Sequence, residues 1–289
     1  MTGTDPVREH RIRLADGRRL TCAEYGRPQD PPALYLHGFL GSRLEVRIAG
    51  ELPLRIFAPD RPGYGASDPV PAHSLSRFGR DMGTLLDALG LDEIAAVGVS
   101  AGGPYALAAA VVLGPRVRRL ALVAAVANKK VLRREGGAVR LLRLARRHGR
   151  LALGLAPVVL RNLRRHGLDE WVVRLLLMRE RACFRPGIDL DRLEQLLLGS
   201  LREGTRRGIA GAEADLENLT RRWDVSPSQV RCPTLVLHGA RDRVVPVAHA
   251  LWYAERIATA RLEIVPDSGH VSVAVNEAPR IAAFLAGEP

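Results

Sequence analysis

Short apolar runs alternate with longer stretches of helical periodicity along most of this chain. Residues 8–14 and 19–25 roughly alternate polar and apolar positions on either side of Asp16-Gly17, which is the pattern of a β-hairpin. After the breaker Gln29-Asp-Pro-Pro32, residues 33–37 predict a short buried strand, 44–52 a helix and 55–58 another strand. Residues 74–89 set Leu75, Phe78, Met82, Leu85, Leu86 and Leu89 near helical spacing and stop at Gly90. Residues 94–99 read as a strand, the Ala/Leu-rich segment after Gly102 as a helix, and residues 117–125 as a buried strand. This alternation predicts an α/β fold, a mainly parallel sheet flanked by helices, with the hairpin as its antiparallel edge.

The pattern changes near Asn128. Up to Asp224 no segment reads as a strand, and Leu/Arg-rich stretches at 137–147, 151–165, 170–181 and 190–204 carry apolar residues at three- and four-residue spacing. Residues 233–238 then restore the buried-strand pattern, followed by a helix at 247–257, a strand at 261–265 and a mostly helical 271–285. The expected organisation is a discontinuous core domain, residues 1–127 plus 225–289, interrupted by an all-helical insertion at 128–224.

A chain of 289 residues can bury a large core. No apolar run reaches the roughly 18 residues of a membrane span. The N-terminal segment is polar, and Cys22, Cys183 and Cys232 lie far apart without metal-ligand spacing. These features fit a reducing, cytoplasmic setting. The net charge of +12 raises nucleic acid or an anionic membrane as partners. Lysine occurs only at Lys129 and Lys130, however, and the arginines are interleaved with leucines and acids rather than gathered with stacking aromatics. Residues 128–224 hold 22 basic and 12 acidic residues, so ten of the twelve net charges fall in the insertion. The pattern is that of a solvated helical surface, with no nucleic-acid partner expected. A membrane-surface helix is the alternative, but several amphipathic helices in succession more often pack on one another.

Candidate chemistry centres on Gly98-Val99-Ser100-Ala101-Gly102, set between a strand and a helix. A serine in such a sharp turn needs neighbours without side chains, and its hydroxyl then stands clear of the backbone. Pro104 suits the first turn of the helix that follows. Asp242 and His270 also fall at ends of predicted strands, where a parallel sheet converges its loops.

Together with His37-Gly38-Phe39, Asp60-Arg-Pro-Gly-Tyr-Gly-Ala-Ser-Asp68, His238-Gly-Ala-Arg-Asp242 and Ser268-Gly-His270, these residues make the chain resemble an α/β-hydrolase with a helical cap over nearly its whole length. The resemblance implies Ser100 as nucleophile, His270 as general base and Asp242 as the acid that orients it. It also implies an oxyanion hole formed by the backbone N–H groups of Phe39 and Ala101. His37 and His238 are alternative bases, and Asp267 is an alternative acid. Some members carry the acid after the strand that follows the elbow helix, where this chain has residues 125–128 and no carboxylate. Asp60 and Arg61 are expected to hold the loop beneath the site. Dehalogenases and epoxide hydrolases of this fold carry an aspartate in place of Ser100, and iminopeptidase-like members a Trp-Gly pair where Ala101-Gly102 stands.

The expected activity is hydrolysis of a carboxylic ester or related acyl bond in a small apolar or amphipathic substrate, with no cofactor and no metal. A lactonase, thioesterase, C–C bond hydrolase or cofactor-free haloperoxidase-like enzyme would leave the same marks. A ligand-binding protein that keeps the pocket without turnover is the reading from a different class.

Overall fold

The computed structural model describes residues 6, 8–70, 74–128 and 167–288. Eight strands form one sheet: β1 (Arg8–Arg13), β2 (Arg19–Tyr25), β3 (Pro32–Leu36), β4 (Arg55–Pro59), β5 (Ile94–Val99), β6 (Val117–Val123), β7 (Thr234–Gly239) and β8 (Ala260–Val265). Their spatial order is β1-β2-β4-β3-β5-β6-β7-β8. The expected hairpin pairs Ile12 with Leu20 and joins the sheet through an antiparallel β2–β4 pair, and every later pairing is parallel. The architecture is the α/β fold expected from the sequence.

The strands read as continuous apolar runs because both faces of the sheet are covered. Leu34 and Leu36 of β3, Leu120 and Leu122 of β6 and Val236 of β7 pack in a core with α1 (Leu75–Leu89), α2 (Gly103–Leu113) and the following helix α6 (Ala248–Ala254). The alternate positions Tyr35, Val97, Val123, Leu235 and Leu237 face a second core closed by α7 (His270–Asn276) and α8 (Ala278–Ala286). Successive side chains of a strand point to opposite faces, so one apolar run supplies both cores. Between β6 and β7 the described residues contain no strand and three longer helices, α3 (Leu168–Arg179), α4 (Leu190–Gly204) and α5 (Ala210–Thr220). Val173, Leu177, Leu193 and Leu198 pack with Val271 and Val275 of α7 in a third core. No helix among the described residues is long and apolar enough to cross a membrane.

Three local expectations change. The helix expected at 44–52 is only a short 3-10 segment, Glu45–Ala49, ended by Gly50 at φ 72°. Its Glu45 turns inward and accepts a hydrogen bond from the Gly38 N–H, so the segment serves the loop after β3 rather than propagating as a helix. The stretch 271–285 is two helices, because Pro279 in the first turn of α8 lacks the N–H needed to continue from α7. Helix α5 was not expected: Asp215 and Asn218, three residues apart on its inner side, are buried polar residues and invert the usual pattern. The helices expected at 137–147 and 151–165 lie outside the described residues.

Helix α1 illustrates where local stability resides. Ser74 caps it by accepting from the Arg77 N–H, Gly90 ends it in a left-handed conformation, and Phe78 is buried edge-on to Tyr105 at 4.9 Å between centroids. Burial outweighs capping here. In urea denaturation, Phe78→Ala is expected to cost about 3–5 kcal/mol, against about 1 kcal/mol for Ser74→Ala.

Candidate active site

Parallel register brings the carboxyl ends of the strands to one edge. Leu36 pairs with Gly98, Val99 with Val123, and Val123 with Leu237. His37, Ser100, Asp242 and His270 follow β3, β5, β7 and β8 and share that edge. At the elbow, Ser100 sits at φ 53°, a left-handed conformation that costs a residue with a Cβ roughly 1–3 kcal/mol. The flanking glycines make the turn feasible. A Cβ on Gly98 would lie 2.5 Å from the Gly102 carbonyl oxygen, and one on Gly102 would collide with the Leu36 carbonyl.

Ser100, Asp242 and His270, separated by up to 170 positions in sequence, form one hydrogen-bonded line. His270 Nε2 stands 3.0 Å from Ser100 Oγ, and His270 Nδ1 stands 2.7 Å from Asp242 Oδ2. Asp242 also accepts from the Val244 and Val245 N–H groups, both at 2.8 Å. Burial opposes its ionisation, but hydrogen bonds from His238, His270 and the backbone outweigh that and hold the carboxyl far below its usual range. Burial likewise opposes the imidazolium of His270. The bond to Asp242 and the charges of Asp242, Glu180 and Glu45 prevail, so its pKa lies above the ordinary value.

The rival groups are engaged elsewhere. Asp267 pairs with Arg241 at 2.6 Å and is largely exposed. His238 Nε2 lies 2.8 Å from the Val245 carbonyl and 3.3 Å from Asp242, so it braces the loop that carries Asp242. His37 Nε2 accepts from the Arg61 N–H, and burial and the Arg61 charge push its pKa well down.

The two peptide units expected to supply N–H donors are held by their carbonyl ends. The Ser100 carbonyl accepts from Val126 N–H at 3.0 Å, and the Gly38 carbonyl from Arg61 Nη2 at 2.9 Å and Gly41 N–H at 3.2 Å. In a trans peptide the N–H points away from the carbonyl, so the Ala101 and Phe39 N–H groups point away from these partners. A Cβ on Gly38 would lie 3.6 Å from Ser100 Cβ, which sets the Phe39 loop against the serine.

Beneath these loops lies a buried polar cluster. Arg61 donates to the carbonyls of Gly38 and Ala101 and, through both terminal nitrogens, to Asp215 at 2.9 Å. Tyr64 and Tyr105 donate to the same carboxylate at 2.7 and 2.6 Å, and their rings lie 5.0 and 4.4 Å from the guanidinium carbon. Asp60 accepts from the Arg43 and Ala66 N–H groups and from Arg43 Nη1. Sequence reasoning found Asp60 and Arg61 through their turn-rich motif. It missed Glu45, Glu180 and Asp215, because a buried acid and a surface acid look alike in sequence.

A model of the α/β hydrolase family matches residues 33–283, and the chain belongs to that family. Among characterised relatives it is 31% identical over 271 residues to 2-hydroxymuconate semialdehyde hydrolase of Pseudomonas putida, covering 89% of this chain and 86% of the relative. Among solved structures it resembles a hydrolase from Pseudomonas aeruginosa PA01 (TM-score 0.69, 24% identity, 98% of this chain and 100% of the other). It also resembles the esterase RhEst1 from Rhodococcus (TM-score 0.69, 20% identity, 99% and 100%).

Removing one partner of the Arg61–Asp215 pair leaves an unpaired buried charge. Asp215→Ala is expected to lose about 3–5 kcal/mol in urea denaturation. The double variant Arg61→Met/Asp215→Leu should lose clearly less than the sum of the two single changes, as a double-mutant cycle would measure.

Proposed function

We propose that this hydrolase is a serine enzyme that opens a carboxylic ester or related acyl bond of a small apolar or amphipathic substrate through an acyl-enzyme. The observation that carries the reading is the continuous line from Asp242 through His270 to Ser100, with contacts of 2.7 and 3.0 Å. In this reading Ser100 Oγ attacks the carbonyl carbon while its proton passes to His270 Nε2. The Phe39 and Ala101 N–H groups receive the negative charge of the tetrahedral intermediate. Collapse expels the alcohol, which takes the proton from His270. A water then gives its proton to His270, its oxygen attacks the acyl carbon, and Ser100 departs with that proton, leaving the acid. Asp242 stays ionised throughout, orienting the ring and stabilising the imidazolium.

Residues 128–224 act as the cap in this proposal, and the three free cysteines suit a reducing, cytoplasmic setting. A second reading, hydrolysis of a C–C bond, is favoured by the 31% identity to 2-hydroxymuconate semialdehyde hydrolase. The two share Ser100 and differ in substrate.

A fluorophosphonate probe is expected to label Ser100, as located by mass spectrometry, and Ser100→Ala should lose labelling and at least about 10⁴-fold in kcat. No labelling of the folded wild type, or labelling that survives Ser100→Ala, would refute the proposal. A panel of short esters run beside 2-hydroxymuconate semialdehyde separates the two readings. Because the base works only when neutral and its pKa is raised, kcat/KM should fall as pH drops, with a midpoint above the ordinary histidine value of 6.5.

A further inference from the structure

Helix α7 begins at His270, and the donors that open a helix have no partners within it. Here they are met by a residue 90 positions earlier in the chain. Glu180, which follows α3, accepts through Oε1 from the His270 N–H at 2.8 Å and through Oε2 from the Val271 and Ser272 N–H groups at 2.9 and 3.0 Å. The Ser272 hydroxyl donates to the same carboxylate at 3.0 Å while accepting from the Gly269 N–H at 2.7 Å. Glu180 is buried. A Cβ on Gly269 would lie 2.6 Å from the Glu180 carboxyl carbon, so the glycine before the histidine makes room for this contact. The other end of α7 is also held by the segment after α3. Asn276 donates to the Cys183 carbonyl at 2.7 Å and accepts from the Arg185 N–H at 3.1 Å, and Val271 and Val275 pack on α3 and α4.

We propose that Glu180 is the positioning residue of the catalytic base: the segment after α3 sets the place of His270 over Ser100 by clamping the first turn of α7. The proposal rests on His270 being that base. A short helix with a bare N-terminus would leave its first residue free to fray, and the histidine is that residue. Four charge-assisted bonds to one carboxylate remove this freedom, so the Nε2 to Ser100 distance is set by the helices between β6 and β7 as much as by the sheet. The groups facing the ring are Asp242 at Nδ1, Ser100 at Nε2, and the carboxylates of Glu180 and Glu45, both of which favour the imidazolium.

The test compares full-length wild type with Glu180→Gln and Glu180→Asp. The readouts are kcat and KM on a chromogenic short-chain ester from about pH 5 to about pH 9, the His270 titration by nitrogen-15 NMR, and urea stability. Glu180→Gln removes the charge. It is expected to lower kcat by roughly tenfold with KM within about twofold, and to move the His270 titration and the acid limb to lower pH. Glu180→Asp keeps the charge but shortens the reach. It should lower kcat with little movement of the titration, and it carries the test if the glutamine variant does not fold.

A folded Glu180→Gln variant with wild-type kcat and an unmoved His270 titration would overturn the proposal, even if its stability fell. If the wild type does not turn over the ester while the titration still moves in Glu180→Gln, the ester-hydrolase reading fails and the positioning contact stands. If neither moves, both fall.

Discussion

The guanidinium of Arg61 is the point through which the loops proposed to carry catalysis are tied to one another. It is fully buried, and burial alone would push it toward neutrality; its two bonds to Asp215 and the ring faces of Tyr64 and Tyr105 keep it charged. Its terminal nitrogens also reach the Gly38 carbonyl after β3 and the Ala101 carbonyl at the elbow. Two loops from different strands thus share one rigid planar group, which matters because hydrogen-bond donors stabilise developing charge only when already in place. Such a pair often gives little net stability over an apolar replacement, while the bonds it makes hold both loops in one geometry. The ion pair also joins the sheet to α5, since Asp215 belongs to that helix.

Strain at Ser100 is sustained in the same way. Its left-handed backbone is unfavourable alone, but β5, α2 and the Val126 N–H bonded to its carbonyl leave it no alternative. The hydroxyl is thereby presented at the sheet edge where the loops after β7 and β8 arrive. His238 braces the loop bearing Asp242, and Asp242 holds His270, so each proposed catalytic side chain is itself fixed by a neighbour.

The helices between β6 and β7 contribute more than cover in this arrangement. Asp215 from α5 supports the loops expected to carry the oxyanion donors, and Glu180 after α3 supports the helix that starts with His270. Ser200 and Glu203 of α4 bond Ser42 and Arg43, and the Gly204 carbonyl accepts from Gly65 N–H, so a third set of contacts falls on the loops after β3 and β4. The proposed cap and the sheet therefore share the positioning of the site, and a change in one is expected to be felt in the other.

The alternation of apolar runs with helical periodicity was enough to anticipate the parallel sheet, its hairpin edge and helices α3 and α4 before β7. These follow from local backbone preference and from which side of an element is buried. The glycine-flanked Ser100, Asp242 and His270 were legible because each sits in a turn-rich motif after a strand, and turns declare themselves locally. What local pattern could not reveal were Glu45, Glu180, Asp215 and helix α5. Their polar side chains read as surface, yet they are buried by partners 7 to 154 positions away. The inward turn of Glu45 also replaced an expected helix with a short 3-10 segment. Sequence by itself determined the order of the strands and the candidate residues for chemistry. Only the tertiary structure decided which charges are taken out of water and paired, because desolvation is a property of the packed whole and not of any stretch of chain.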